Sequence, residues 1–169
     1  MGAVYRTRQF FAALRPRVTS AERALVADHL TPAEHALFLR LPPAYQRHSV
    51  AVWQRLRAQG ERDPVLLRAA LLHDVGKSLA RLTLGHRVLI VLLERFAPGV
   101  LRALARGEGD SGWRAAFQVH DRHALIGAQL AADAGAPEAA VTLIANHHCP
   151  PSPSDDDALR ALRHADGLE

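Results

Sequence analysis

At the middle of the chain the sequence runs Leu71-Leu72-His73-Asp74-Val75-Gly76-Lys77, an apolar helix end followed by two polar residues and a glycine. Asp63-Pro64 is typical of a helix start, because an aspartate caps free N–H groups and a proline fits the first turn. We therefore predict an apolar helix from Pro64 to His73. Adjacent residues of a helix point about 100° apart, so His73 and Asp74 are expected to serve different parts of one site.

Helix signals dominate on both sides of this segment. Thr19-Ser20-Ala21-Glu22 and Thr31-Pro32-Ala33-Glu34 both match the capping box, so short helices should start near residues 20 and 32. Pro42-Pro43 breaks the chain, and apolar residues at helical spacing then predict a helix over residues 44–58. Further helices are expected at residues 86–97, 98–106, 112–118, 122–134, 137–147 and 156–165. Alternating, strand-like patterns are almost absent, and the predicted fold is all-α.

The composition is that of one globular domain. The chain has 169 residues, of which 49% are apolar and 22% charged. That is enough for one hydrophobic core, and it is unlike disordered or fibrous sequences. We expect an N-terminal helical extension over residues 1–43 that packs on a core formed by residues 44–169, the two making one structural domain.

Cysteine content and hydropathy favour a cytoplasmic protein. The longest apolar run, residues 88–93, is far shorter than the roughly 18 residues that a membrane span needs. The first residues show no apolar segment followed by a cleavage site, so export is not expected. A single cysteine, Cys149, excludes an intramolecular disulfide.

The charge is positive but carries no nucleic-acid signature. The net charge is +4 and the pI is near 10.2, which favours anionic partners in general. The arginines are scattered singly with few aromatic residues between them, so no nucleic-acid partner is expected. Twenty of the basic residues are arginine, and Lys77 is the single lysine.

More histidines and aspartates lie on predicted helices or at their ends. His48 lies on the 44–58 helix, and His120 and His123 lie one turn apart. The pair His147-His148 ends another helix, and Asp166 follows near residue 169. Helices that pack together can bring such side chains to one metal site in a bundle core.

The ordered series His48, His73-Asp74, His123, His147-His148, Asp166 resembles the HD-domain superfamily of metal-dependent phosphohydrolases, in the subset with the pattern H…HD…H…HH…D. The resemblance covers about residues 44–167. His73-Asp74-Val75-Gly76-Lys77 is similar to the HDxGK form, and residues 123–130 are similar to the HPxxGAxxL segment of the HD-GYP branch. Two departures separate the chain from true HD-GYP proteins: Ala124 replaces the usual proline, and Cys149-Pro150-Pro151 follows the histidine pair, with no Gly-Tyr-Pro anywhere. Cyclic-di-GMP specificity is therefore not expected.

The resemblance implies a helical bundle with two metal ions in its core. One ion would be held by His48, His73, Asp74 and Asp166. The other would be held by Asp74, His123, His147 and His148, although His148 could instead contact the substrate. Histidine and aspartate without thiolate suit iron or manganese, and also nickel, cobalt or zinc, better than calcium or magnesium.

The implied reaction is hydrolysis of a phosphoester by a water that bridges the two ions. Asp74 and Lys77 would be catalytic, and Lys77, His120 and His148 would contact the substrate, a nucleotide or other phosphorylated small molecule. Residues 78–117 carry no motif. Their apolar helix Val88–Phe96 is expected to form a core or dimer contact rather than a substrate lid. A homodimer is therefore one alternative.

Two alternatives remain open at this point. A related HD branch has a similar ligand order but uses a mixed-valent di-iron centre to activate oxygen, so the same ligands could form an oxygenase. The other alternative is a regulatory module that holds a nucleotide without turnover, against which the complete ligand set argues.

Overall fold

The computed structural model describes residues 18–79, 83–106 and 112–167. Within these ranges every regular element is a helix, which confirms the predicted all-α fold. The elements are α1 Ser20–His29, α2 Pro32–Leu39, α3 Pro43–Ala58, α4 Pro64–Leu72, a 3₁₀ helix Val75–Leu79, α5 Leu84–Phe96, α6 Pro98–Ala105, α7 Ala115–Asp133, α8 Glu138–Asn146 and α9 Asp157–Asp166. The first 17 residues of the expected N-terminal extension lie outside the described residues.

Capping bonds set the helix starts. The hydroxyls of Thr19 and Thr31 accept hydrogen bonds from the N–H groups of Glu22 and Glu34, whose carboxylates accept from the threonine N–H groups in return. Both predicted capping boxes are thus confirmed. Asp63 caps α4 more simply, because its side chain accepts from the backbone N–H two residues on. Each cap satisfies an N–H group that has no partner inside its helix.

Helix α7 corrects one expectation. The sequence predicted two helices, at residues 112–118 and 122–134, whereas the structure has one from Ala115 to Asp133. The residues between the two predicted helices, Val119-His120-Asp121, include neither glycine nor proline, so the helical hydrogen bonding continues through them. The continuous helix carries His120 and His123 on successive turns.

Helix α4 lies at the centre of the fold. It packs against α1, α2, α3, α8 and α9, and Leu66, Leu71 and Leu72 are almost completely buried. Apart from Arg68, which pairs with Glu34 on α2, the residues of α4 are apolar, and such a helix is stable only when other elements surround it. Its C-terminal end therefore delivers His73 and Asp74 to the protein interior.

A smaller apolar cluster joins α5 and α6 to α7. Ile90, Ala116 and Phe117 are its buried members. Within the part of the chain that the structure describes, α5 also exposes apolar side chains, which are Val88, Leu89, Val91, Leu92 and Phe96. Among the described helices, none combines the length and apolar character needed to cross a membrane.

Candidate metal centre

The predicted metal ligands meet where α3, α4, α7, α8 and α9 converge. The ring centroid of His73 lies 5.3 Å from that of His48 and 5.1 Å from that of His147, and the rings of His123 and His147 are 5.3 Å apart. All the predicted ligands take part in the cluster, which contains His48, His73, Asp74, His123, His147, His148 and Asp166.

A contact between two glycines brings the 3₁₀ helix onto α7. A Cβ atom added to Gly76 would overlap the carbonyl oxygen of His123 and would lie 2.9 Å from the nitrogen of Gly127. A side chain at position 76 would therefore push the two backbones apart. Because the glycine permits this approach, Asp74 Oδ1 lies 3.5 Å from His123 Nε2.

Backbone carbonyl groups fix the orientation of the buried imidazoles. Each ring places Nδ1 within hydrogen-bond distance of the carbonyl oxygen three residues earlier: His73 to Ala70 at 2.9 Å, His123 to His120 at 2.6 Å and His147 to Ile144 at 2.7 Å. A carbonyl oxygen only accepts, so Nδ1 carries the hydrogen and, in the neutral ring, Nε2 keeps a free lone pair. This is the arrangement found for metal-ligating histidines, whose other nitrogen donates to a fixed acceptor.

The atoms that face the cluster are buried and poorly satisfied. Nε2 of His123, Nε2 of His147 and Oδ2 of Asp74 have no hydrogen-bond partner among the described residues. Leaving a buried polar atom unpaired costs about 1–3 kcal/mol, and a cation bound between these atoms would remove that cost. Imidazole nitrogens and carboxylate oxygens together suit transition-metal ions, so the residues present fit the implied metal.

Within the described residues the ligand atoms form three overlapping triplets, with the atoms of each lying within 4.8 Å of one another. The triplets are His48 with His73 and Asp74, His73 with His147 and Asp166, and His123 with His147 and His148. Asp74 Oδ1 is 3.7 Å from His73 Nε2 and 3.5 Å from His123 Nε2. Its carboxylate thus lies between the two ends of the cluster.

His73 and Asp74 share one triplet with His48. The helical offset of adjacent residues argued for different parts of one site, whereas the family resemblance placed both residues on the same ion. Helix α4 ends at Leu72, and the chain then turns into the 3₁₀ helix at Val75. Both side chains reach the same cluster, where Asp74 Oδ1 lies 3.7 Å from His73 Nε2.

Lys77 is paired with the central carboxylate. Its Nζ lies 2.7 Å from Asp74 Oδ1 and 5.3 Å from the ring centroid of Tyr45. Burial alone would raise the pKa of Asp74, but Lys77 and then the neighbouring His73 hold it well below its ordinary value. Burial likewise opposes the charge of Lys77, yet Asp74 keeps the pKa of that ammonium raised. Both groups are charged at neutral pH.

The pKa values of the buried histidines shift in different directions according to their neighbours. Burial, assisted by the charge of Lys77, lowers the pKa of His123 to about 2, and burial lowers that of His147 to about 3. Burial would also lower the pKa of His73, but Asp74 and Asp166 raise it overall. His123 and His147 are therefore neutral at pH 7, as a metal ligand must be.

Asp166 closes the other end of the cluster. Its Oδ1 lies 2.6 Å from His48 Nε2 and 3.5 Å from His73 Nε2. Burial would raise the pKa of Asp166, but His73 and His48 hold it well below its ordinary value. The buried carboxylates of Asp74 and Asp166 thus bring two negative charges to the cluster.

His120, a predicted substrate contact, is directed to Glu94, a residue that sequence reasoning missed. His120 Nε2 lies 3.0 Å from Glu94 Oε1, and its ring stacks on that of His123 with centroids 6.0 Å apart. Nearly half of the Glu94 side chain is exposed, so the pair lies at an accessible edge of the cluster. No motif signals Glu94, because 26 residues separate it from its partner.

A buried arginine beneath the cluster was also missed. Arg163 on α9 is 2% exposed and donates hydrogen bonds to the carbonyl oxygens of Asn146 and His147. Its position in the sequence offered a signal: it follows Leu162 and lies one turn after Leu159, in the apolar row of α9. An arginine in such a row indicates a partner in the protein interior.

The fold and the cluster together define a class: an all-α protein whose helix ends assemble histidines and aspartates suited to divalent cations. Residues 45–169, about three quarters of the chain, match the family described as HD domain, and the chain belongs to that family. No curated protein and no solved structure matches it. HD domains bind divalent metals and are largely metal-dependent hydrolases. Membership of the superfamily is confirmed, whereas the H…HD…H…HH…D subset and the boundary between residues 43 and 44 stay predictions.

Proposed function

We propose that this chain is a metal-dependent phosphohydrolase that cleaves a phosphoester of a nucleotide or other phosphorylated small molecule. The observation that carries the proposal is the position of Asp74, between His73 and His123, with buried ligand atoms unpaired around it. Two bound cations, iron or manganese in our proposal and otherwise nickel, cobalt or zinc, would activate a bridging water and neutralise charge on the phosphoryl group.

Different residues of the chain would bind the two ions. In this proposal Asp74 would hold one ion together with His48, His73 and Asp166. It would hold the other together with His123, His147 and His148, unless His148 contacts the substrate instead. The neutral state of His123 and His147 leaves their Nε2 lone pairs free to bind at pH 7. Asp74 is the ligand that the two ions would share, so both ions would depend on its negative charge.

The substrate phosphate would be met by residues on the accessible side of His123. Lys77 offers a compact positive charge that Asp74 holds in place, which suits a phosphate oxygen. The ring of exposed His148 lies 4.4 Å from that of His123, and His120 stacks on the same ring. This placement supports the proposal that Lys77, His120 and His148 contact the substrate.

The proposal is tested by metal analysis combined with a phosphoester panel. Protein purified without chelator should contain about two transition-metal ions per chain, and Asp74→Asn should contain fewer and lose about 10²-fold or more of its phosphate release. Asp121→Asn, an exposed aspartate on α7, is the matched control. Lys77→Ala should raise KM or lower kcat while the metal content stays unchanged.

Each alternative has a distinct result in the same experiment. Full turnover by Asp74→Asn would exclude the two-metal mechanism. Oxygen-dependent turnover without phosphate release would favour the di-iron oxygenase. Tight nucleotide binding without any product would favour the regulatory module.

The proposal extends to location and assembly. The single cysteine, Cys149, supports a cytoplasmic location. The exposed apolar side chains of α5, such as Leu92 and Phe96, support a homodimer, which sedimentation velocity would detect. The scattered arginines support a small anionic partner rather than nucleic acid.

A further inference from the structure

The side chain of Arg163 joins three separate parts of the chain. Its Nε donates to the carbonyl oxygen of His147 at 3.3 Å, and its Nη2 donates to that of Asn146 at 2.9 Å. Its Nη1 forms an ion pair with Asp155, in the loop that leads to α9. A buried guanidinium is tolerated only when its charge and its donors are satisfied in this way.

The two carbonyl groups are at the C-terminal end of α8, where the last carbonyls lack partners within the helix. A positive charge is favourable there because the helix end carries partial negative charge. The planar fork of arginine can reach both carbonyls and the Asp155 carboxylate at once, which a lysine ammonium cannot do with the same geometry.

The position of Arg163 relates it to ligands on two helices. It precedes Asp166 by three residues on α9, so the two lie on the same side of that helix. The residue whose carbonyl it holds, His147, belongs to two of the three ligand triplets, one of which also contains Asp166. The contact thus fixes the backbone of one candidate ligand against the helix that carries another.

We infer that Arg163 is a positioning residue of the metal centre, which fixes the His147 backbone against α9, the helix that carries Asp166, and so keeps the His147 imidazole in place for cation binding. The inference rests on the proposed function, because it assumes that His147 binds a metal ion. Arg163 donates to the backbone of His147 rather than to its imidazole, so its effect should appear in metal affinity and should depend on the His147 side chain.

The experiment is a Co²⁺ titration of the full chain, followed by the visible absorption of the bound ion. Arg163→Lys should keep its helical circular dichroism and bind at least one Co²⁺ ion about 10- to 100-fold more weakly than the wild type, the usual effect of losing an outer partner of a ligand. Arg160→Lys is the matched control, because Arg160 lies on the same helix and contacts the same loop but is exposed. Its Co²⁺ affinity should be unchanged.

A double-mutant cycle separates positioning from a general structural role. In a His147→Ala background, Arg163→Lys should cause no further loss of Co²⁺ affinity. A folded Arg163→Lys variant with wild-type affinity, or an equal loss with and without the His147 imidazole, would overturn the inference. If Arg163→Lys does not fold, Asp155→Asn takes its place, because it removes one contact of the same guanidinium. Its loss of Co²⁺ affinity must then also disappear in the His147→Ala background. A wild type that binds no Co²⁺ would instead overturn the proposed function itself.

Discussion

Gly76 leaves no room for a side chain between the 3₁₀ helix and α7. Gly76→Ala should lower the free energy of unfolding by about 1–3 kcal/mol, because the added methyl group forces packed backbones apart. It should also weaken metal binding, since Asp74 and His123 face each other across this contact. Urea unfolding and a Mn²⁺ titration measure the two effects.

Gly99→Ala is the control for this substitution, because a Cβ at position 99 meets no atom within 4 Å. Its unfolding and its Mn²⁺ affinity should stay close to those of the wild type. Equal behaviour of the two alanine variants would show that the contact at Gly76 relaxes without consequence.

Residue type and order were sufficient to predict which side chains cluster, but not how each is held. The histidines and aspartates form a recognisable series, and the structure brings them together. Glu94 and Arg163 belong to no series, and each meets its partner only through the packing of helices. The approach of Asp74 to His123 was likewise not visible in the sequence as a contact, because it depends on the packing of the 3₁₀ helix on α7 at Gly76.

At the level of elements, α1 is joined to α3 by the side chain of Glu22, which pairs with Arg47 and accepts from Gln54 at 3.1 Å. Burial opposes the charge of Glu22, but the Thr19 cap and Arg47 lower its pKa from 4.5 to about 2. A carboxyl group with a lowered pKa in the folded state stabilises that state above pH 4.5 and loses this contribution as the pH falls toward 2.

Glu22→Gln should therefore lower the melting temperature at pH 7, and the difference from the wild type should shrink steadily between pH 4.5 and pH 2. Thermal unfolding at a series of pH values measures it. Glu138→Gln, on the exposed first turn of α8, is the control. A difference that is constant over this range would mean that the Glu22 carboxylate is not what joins the two helices.

Local chemistry predicted the helices well and their continuity less well. The capping boxes at Thr19 and Thr31 gave the starts of α1 and α2, because a cap is formed by residues three apart in sequence. The predicted break within α7 was wrong, because Val119-His120-Asp121 include neither glycine nor proline and the helix continues through them. Which helices pack on α4 depends on contacts between residues distant in sequence, and the family resemblance implied only a helical bundle around a metal site.

Considered as a whole molecule, the protein gathers five helices around a cluster of buried polar atoms. The carboxylates of Asp74 and Asp166 both lie close to the buried imidazole of His73, and that of Asp74 also lies close to His123. A bound cation would link these groups. Chelator should therefore lower the melting temperature of the metal-loaded protein. Restoring Mn²⁺ to 100 times its Kd should stabilise the fold by about 2.7 kcal/mol.

Differential scanning calorimetry with and without Mn²⁺ measures this linkage. Asp74→Asn should melt at nearly the same temperature in both conditions, because it lacks the carboxylate on which both ions depend. If the melting temperature of the wild type were equally insensitive to Mn²⁺, a bound cation would not be what stabilises the packing of these helix ends.

Lys77 is the single lysine of the sequence, and it is largely buried and paired with Asp74. A lysine-specific protease can therefore cut this chain at one bond, giving fragments of residues 1–77 and 78–169. It can do so only after the 3₁₀ helix has left α7, so cleavage reports directly how often the metal centre opens. Cleavage at Lys77 therefore measures the opening of the metal centre. The ratio of cleaved to intact chain on a gel, with and without a ligand, would show how strongly that ligand suppresses the opening.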